Sequence, residues 1–540
     1  MQGLSASIAL LLVLAASAAL GWRRALAYLR YFQQEGYDRA RFLRWVHVRP
    51  LVDPALWLAV GAVWLALRSP RPAALAFAAG AAGLAFIQPD PRRSGKIPLR
   101  LTWRATRVLS VALVVMALAW VIIVWAVPGT SGIDTVIASA LVVLTVPVAL
   151  VAANASLAPY ERRVQEAYEA DAVVRVQDVA PFIVGITGSY GKSSSKAMLA
   201  HILQFKAPTL AASGSINTLM GVTRHIREHL VPGHRFMVVE MGAFQVGSIR
   251  RLCRLTPPSA GLVTAVGDMH LERFGSTDAI VLAKSELAQA IPLRGLLVVN
   301  ADSPGALRIA REASHARALL YGETSGERLD TRLGDVQFSP KGTSFALKTK
   351  DRTYQCFTPL FGRPIALNIA GVFTMATALG VDPEVAVAAI RTLKPVTNRL
   401  EVVEERGITW IRDAYNSNPV GFRAALEVAA ALPAARRFLV TPGVIELGPD
   451  QAEVNRALSR EAAALCDTTL IVAGANREAF AAGHRDAGRD SRLVPVAGRT
   501  EAFRWLDDTL QAGDLVILEN DLPDLYERTG VFLPRWRRRR

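Results

Sequence analysis

The sequence predicts an α/β chain in two parts, an N-terminal helical membrane region followed by a body of α/β domains. Three observations carry this. Apolar residues crowd into long runs before position 158 and are diluted after it. Beyond Pro181, short apolar runs alternate with helical runs, the pattern of parallel α/β sheets. One of them, Phe182-Ile-Val-Gly185-Ile-Thr-Gly188-Ser189-Tyr-Gly191-Lys192-Ser193-Ser194, leads from a buried strand through a glycine-rich turn into a helical run, 195–205. Strand, glycine turn and helix together form the arrangement that cradles nucleotide phosphates, because glycines let backbone N–H groups point at an anion.

Length and composition bound the rest. The chain has 540 residues, enough for three or four domains, with 51% hydrophobic and 20% charged residues. Its cysteines, Cys253, Cys356 and Cys466, are widely spaced and form no CxxC pair. That argues against a zinc ribbon or a disulfide framework. The net charge of +16 comes from arginines beside the apolar segments and from Arg535 and Arg537 to Arg540 at the end. No basic stripe is interleaved with aromatics, so the charge is expected to face a membrane surface and not nucleic acid.

Five apolar segments are expected as spans: 4–20, 54–67, 73–87, 108–127 and 135–157, of which the last two are the longest. Arg23, Arg24, Arg30, Arg39, Arg41, Arg44 and Arg49 follow the first. Arg92, Arg93, Lys96, Arg100 and Arg104 follow the third. Only Arg68 and Arg71 separate the second and third, and no Lys or Arg separates the fourth and fifth. The positive-inside rule then predicts an outside N-terminus, a multi-pass protein of the cytoplasmic (inner) membrane and catalytic domains in the cytoplasm. The aromatic, basic stretch 28–50 is expected as an interfacial helix. A charged amphipathic run, 160–176, reads as a helix joining membrane to body.

In the body, strands are expected at 236–240, 260–266, 296–300, 437–440, 468–472 and 515–518, and a small antiparallel patch over 336–357. A domain boundary is expected near 395–400. Lys192 is placed to reach the outer phosphates of a nucleotide and Ser193 to ligate Mg²⁺. Glu240 falls at a strand end, where open α/β sheets bind ligands and where a carboxylate suits Mg²⁺. His270 follows another strand and is expected as a metal or phosphate ligand. Lys284 on its own reads as a solvated helical lysine.

These motifs, with Asn217-Thr-Leu-Met-Gly221, Gly267-Asp-Met-His270, Ala283-Lys284-Ser-Glu, Asn300-Ala-Asp302, Asn368, Arg399-Leu-Glu401 and Asp413-Ala-Tyr-Asn416-Ser-Asn418-Pro419, stand in one order. From about 181 to 530 the chain resembles the Mur ligases, ATP-dependent amide-bond synthetases, and within them the D-alanyl-D-alanine-adding branch. The resemblance implies a P-loop-like central ATP-binding domain (181–396) and a Rossmann-like C-terminal domain (397–530). They would follow a transmembrane region (1–158) and a linker helix (159–180), and a basic tail (531–540) would end the chain. It implies ATP bound by Gly188, Ser189, Gly191, Lys192, Ser193 and Ser194, with Asn368 at the adenine, Asp413 at the ribose and Arg399 at the phosphates. Mg²⁺ would be held by Ser193, Glu240, His270 and a carbamylated Lys284, and Lys192, His270 and Lys284 would be catalytic.

The implied reaction makes an acyl phosphate and adds an amino acid or dipeptide such as D-Ala-D-Ala to a nucleotide- or lipid-linked envelope precursor, beside other envelope-synthesis enzymes. A capsule-type poly-γ-glutamate synthetase and an inactive membrane scaffold are the alternatives. The sequence departs from the family where membrane segments occupy the place of the precursor-binding domain. It departs also at Leu367, Gly371, Asn398, Thr441-Pro442-Gly443 and Leu518-Glu519-Asn520-Asp521. At the last, carboxylates replace cations, which disfavours an incoming α-carboxylate and suits an amine-rich substrate.

Overall fold

A computed structural model describes residues 2–47, 53–66, 70–93, 97–126, 133–267, 274–414, 417–445, 447–472, 474–489 and 492–520. Two compact units divide the chain between Val164 and Gln165.

The first unit is helical, because its apolar runs carry no alternation. Its helices are α1 (Gln2–Gln34), α2 (Arg39–His47), α3 (Pro54–Ala66), α4 (Pro70–Ile87), α5 (Trp103–Ala126), α6 (Ile133–Leu144) and the start of α7 (Val146–Val179). Among the described residues, two stretches are long and apolar enough to cross a membrane: Ile8–Gln34, with mean hydropathy 1.5, and Trp103–Trp125, with 2.8. The fifth expected segment is broken, since Thr135–Leu144 and Val146–Val179 meet at 62°. Pro147 supplies the reason. It has no N–H for the carbonyl four residues back, so the helix bends. That carbonyl, of Val143, instead accepts a bond of 3.1 Å from Arg24 Nε.

Arg24 is a second departure from expectation. The first apolar segment is expected to end at residue 20, with Arg24 beyond it. Instead α1 continues and buries Arg24. Its guanidinium grips Asp53 through two bonds of 2.7 and 2.6 Å. Tyr28 Oη sits 3.1 Å from both groups. Asp53 Oδ1 also accepts from Ala55 N at 3.0 Å, which fixes the start of α3.

The second unit contains two sheets. The first runs β2-β3-β1-β4-β5-β6-β7-β8-β9. Its strands are β1 (Phe182–Thr187), β2 (Thr209–Ala211), β3 (Phe236–Glu240), β4 (Ala260–Val263), β5 (Leu296–Asn300), β6 (Arg317–Gly322), β7 (Thr331–Ser339), β8 (Gly342–Thr349) and β9 (Thr353–Thr358). The strands from β2 to β7 pair in parallel. The last three form the expected antiparallel patch. Among the helices of this part are α8 (Lys192–Gln204), α9 (Leu219–His229), α10 (Ser248–Leu255), α11 (Thr277–Ala290), α12 (Pro304–Glu312), α13 (Arg363–Ala378) and α14 (Pro383–Ile390). Leu199 and Leu203 of α8 meet Ile369 and Phe373 of α13 in one core with Val184 and Leu262.

The second sheet runs β10-β11-β15-β12-β13-β14 and is parallel apart from the β10–β11 pair. Its strands are β10 (Glu401–Glu405), β11 (Ile408–Asp413), β12 (Arg437–Thr441), β13 (Thr468–Val472), β14 (Leu493–Val496) and β15 (Leu515–Glu519). Helix α15 (Pro419–Ala431) follows β11 and is capped by Asn418, whose side chain accepts from Val420 N and Gly421 N.

Candidate active site

The site forms where strands of the first sheet end. Strand β1 is apolar up to Thr187 and buried after Phe182, so the chain leaves it at a fixed point, Thr187. The turn that follows needs glycine. Gly188 has φ +154°, and a Cβ there would sit 1.8 Å from Thr264 Oγ1. Gly191 has φ +78° and starts α8 without a side-chain cap. The first N–H groups of the helix are therefore left for an anion. The turn is tied to the chain after β4 by Ser189 N to Ala265 O (2.6 Å) and Thr264 Oγ1 to Tyr190 O (2.5 Å). Ser189 Oγ is bonded at 2.8 Å to Gly267 O.

Two ammonium groups converge on one carbonyl oxygen. Lys192 Nζ donates to Gly188 O at 2.7 Å and to Ser189 O at 3.1 Å. Lys284 Nζ, from buried α11, donates to the same Gly188 O at 2.9 Å. Lys284 is thus no solvated surface lysine. Burial, and then the neighbouring Lys192 ammonium, push its pKa well below the ordinary value. Burial also lowers Lys192, to about 8, against the pull of Glu240. Lys192 beside uncapped helical N–H groups fits a polyphosphate, with the Lys284 nitrogen aimed at the same point.

Opposite them, Glu240 ends β3 and is buried. Asn217 Nδ2 donates to its Oε1 at 3.0 Å, and Lys196 Nζ lies 3.4 Å from its Oε2. Ser193 Oγ is 3.2 Å from Ser215 Oγ, which accepts from Arg399 Nη2 at 3.4 Å. Ser215 therefore links the phosphate loop to the residue that precedes the second sheet. Ser193, Ser215, Asn217, Glu240 and Arg399 line a cavity of about 260 Å³ with Phe244, Phe274 and Asn418. A hydroxyl and a buried carboxylate facing a phosphate cavity fit Mg²⁺, which takes few protein oxygens and completes its shell from water and phosphate.

The remaining expected residues are more scattered. The Asn368 amide lies against Gly191, 2.6 Å from where a Cβ would stand. Ser194 lines a neighbouring cavity of about 170 Å³ with Met198, Phe361, Leu393 and Arg399. Asp413 ends β11 and accepts from Leu400 N at 3.2 Å. Burial raises its pKa to about 6. Its register partner on β15 is Glu519, fully buried and raised well above the ordinary carboxylate range by burial and then by Asp413. His270 and Asn416 lie outside the described residues. Lys196, Ser215 and Glu286 had no role assigned from sequence. Glu286 accepts from Gly247 N (2.6 Å) and Arg250 N (2.9 Å), fixing the start of α10 and the loop that carries Phe244. Only the placement of Lys196 one helical turn after Lys192 could have pointed to it.

Comparison with known proteins bears on the family of the chain. The profile of the Mur ligase middle domain matches residues 186–376, and that of the Mur ligase glutamate ligase domain matches 398–519. The UDP-N-acetylmuramoyl-tripeptide–D-alanyl-D-alanine ligase of Mycobacterium tuberculosis is 31% identical over 363 residues, 62% of this chain and 70% of that protein. The chain belongs to the Mur ligase family. The Bacillus subtilis enzyme of the same name is 29% identical over 275 residues, 51% of this chain and 58% of the relative. Among solved structures, MurF from Acinetobacter baumannii superposes with a TM-score of 0.60 at 26% identity, covering 67% of this chain and 78% of that one. MurF from Thermotoga maritima in complex with ADP shares the fold, with a TM-score of 0.59 at 24% identity over 66% and 80%. This Mur ligase is accordingly an ATP-dependent ligase with mixed α/β architecture, preceded by helices apolar enough to cross a membrane.

Proposed function

We propose that this Mur ligase is a membrane-anchored enzyme that activates a carboxylate of an envelope precursor as an acyl phosphate and joins it to an amine. D-Alanyl-D-alanine, the substrate in the relatives' names, is the first amine to consider. One observation carries the reading: Lys192 and Lys284 converge on Gly188 O across a cavity from Glu240.

The roles of the residues follow from their positions. Uncapped N–H groups of α8 and Lys192 hold the nucleotide phosphates and stabilise charge on the group in transfer. Arg399 approaches the same cavity from the chain leading to the second sheet, so it shields the acyl phosphate from water. The apolar cavity beside Ser194 suits the nucleotide base, and Asp413 the ribose. Ser193 and Glu240, with His270 as proposed from sequence, would hold Mg²⁺, which when bound screens repulsion between phosphates and the attacking carboxylate. Lys284, desolvated, is suited to be the neutral amine that adds CO₂; its nitrogen bonds the carbon and loses a proton, leaving a carbamate as a further metal ligand. Ile8–Gln34, Trp103–Trp125 and the bent pair Thr135–Leu144 with Val146–Val179 are proposed as three spans of the cytoplasmic membrane, an odd number that takes the chain from an outside N-terminus to an ATP site on the cytoplasmic side.

A second amine class is favoured by Glu519. It accepts from Ser417 Oγ and is the register partner of Asp413, so a carboxyl stands where an incoming α-carboxylate would need a cation. The test is phosphate release by the detergent-solubilised protein with Mg-ATP. Nucleotide- and lipid-linked muramyl peptides would each be paired with D-Ala-D-Ala, single amino acids and diamines. Release with D-Ala-D-Ala supports the first amine, release only with diamines the second, and none with any pair refutes the ligase reading of the site.

A further inference from the structure

Glu240 has a second cation beside it that none of the roles above uses. Lys196 lies on α8 and is 2% exposed, and Glu240 is 1% exposed. The Lys196 ammonium has two partners, the Gly214 carbonyl, which it holds closely, and Glu240 Oε2 at 3.4 Å. A charge-assisted bond of this type closes to about 2.8 Å when it is optimal. The lysine is thus anchored on Gly214 and only leans toward the carboxylate. Glu240 lines the phosphate cavity and turns one edge to Lys196, the other to Asn217. A carboxylate this buried needs a positive neighbour whether or not a metal is present.

We propose that Lys196 is a resident counter-ion for Glu240, which yields the carboxylate to Mg²⁺ and keeps its bond to Gly214. The inference rests on the reading of Glu240 as a metal ligand. With the metal absent, Lys196 neutralises the buried charge. When the metal arrives, a fixed +1 charge beside a +2 ion opposes binding, so Lys196 sets the affinity lower than Glu240 alone would give. The retained bond to Gly214 keeps segment 214–217 in place, and with it Ser215 against Ser193 and Arg399, and Asn217 against Glu240.

The sign of this effect separates it from a merely structural role. A lysine that only supports the loop would, when removed, weaken metal binding. Removal of a competing counter-ion strengthens it. The experiment is thermal unfolding of the full-length protein in detergent at fixed ADP, titrated with Mg²⁺ from an EDTA baseline, for wild type, Lys196→Met and Lys196→Gln. In EDTA the variants are expected to melt below wild type. Their half-saturating Mg²⁺ should fall about tenfold, the low end of what a neighbouring like charge costs a site. Half-saturation equal to or above that of wild type in the variants overturns the proposal. If wild type itself gains no stability from Mg²⁺ with ADP, it is the metal reading of Glu240 that fails. The Gln variant keeps a donor for Gly214, so it carries the measurement if the Met variant does not fold.

Discussion

Two buried ion pairs, one in each unit, are built in opposite ways. Arg24–Asp53 is bidentate, and both partners have further bonds, to Tyr28, the Val143 carbonyl and the start of α3. Lys196–Glu240 is a single long contact whose lysine is held elsewhere. A saturated pair has nothing left to offer a ligand and acts as a fastener between α1, α3 and the bend after α6. A loosely bonded pair beside a cavity leaves its carboxylate able to accept a further ligand. Burial alone therefore does not mark a functional charge; the completeness of its bonding does.

The comparison can be broken most forcefully at the fastener. Asp53→Ala leaves Arg24 buried without a partner and should lower the stability of the first unit by about 3–5 kcal/mol. The double change Arg24→Leu with Asp53→Leu should recover most of that loss. Thermal unfolding in detergent reads both, and a mild effect of Asp53→Ala would remove the contrast. At the other pair, Glu240→Gln should leave the fold standing and abolish the Mg²⁺-dependent rise in melting temperature, since the amide has no charge to offer. Turnover should fall about 10²–10³-fold, as for loss of one charge-stabilising group.

Lys192→Ala should cut phosphate release by a similar factor of about 10²–10³. It should also move Lys284, because removing the nearby ammonium relieves a like-charge repulsion. The pH at which Lys284 reacts with an amine-directed reagent should then rise toward the ordinary lysine range, and an unchanged profile would show that the two ammonium groups do not interact.

The smallest expected effect is at Asp413 and Glu519. Both carboxyls titrate higher in the folded chain, Asp413 at about 6 against an ordinary 3.8. Between those values the folded state binds more protons than the unfolded state. Their contribution to stability is thus present in acid and is lost as pH rises through 6. Glu519→Gln removes one of the two charges and should flatten the fall in melting temperature between pH 5 and 8, by a few degrees for about 1 kcal/mol. An identical pH curve in the variant would mean that the charge of Glu519 does not act on Asp413.

The α/β class and the phosphate loop could be read from residues alone, because each depends on local spacing. Apolar runs of five or six residues between helical runs announce β1, β3, β5 and β15. Glycines at 188 and 191 announce a turn that only a residue without a Cβ can make here. Glu240 was legible for the same reason, as the polar residue that ends an apolar strand. The sequence could not tell that Arg24 belongs inside a helix, since its partner Asp53 stands 29 positions away and a loop arginine looks the same. Nor could it tell that one expected span breaks at Pro147, where the freed carbonyl needed Arg24 to satisfy it. Lys284 taken by itself read as a solvated helical lysine, and only the family resemblance put it in the site; folding places it against Gly188, 96 positions earlier. Lys196 and Ser215 had no local signature of their own. What the sequence determined by itself was every feature written in backbone conformation and periodicity. What the tertiary structure decided was the state of each charge, because desolvation and partnership depend on which distant segments close around it.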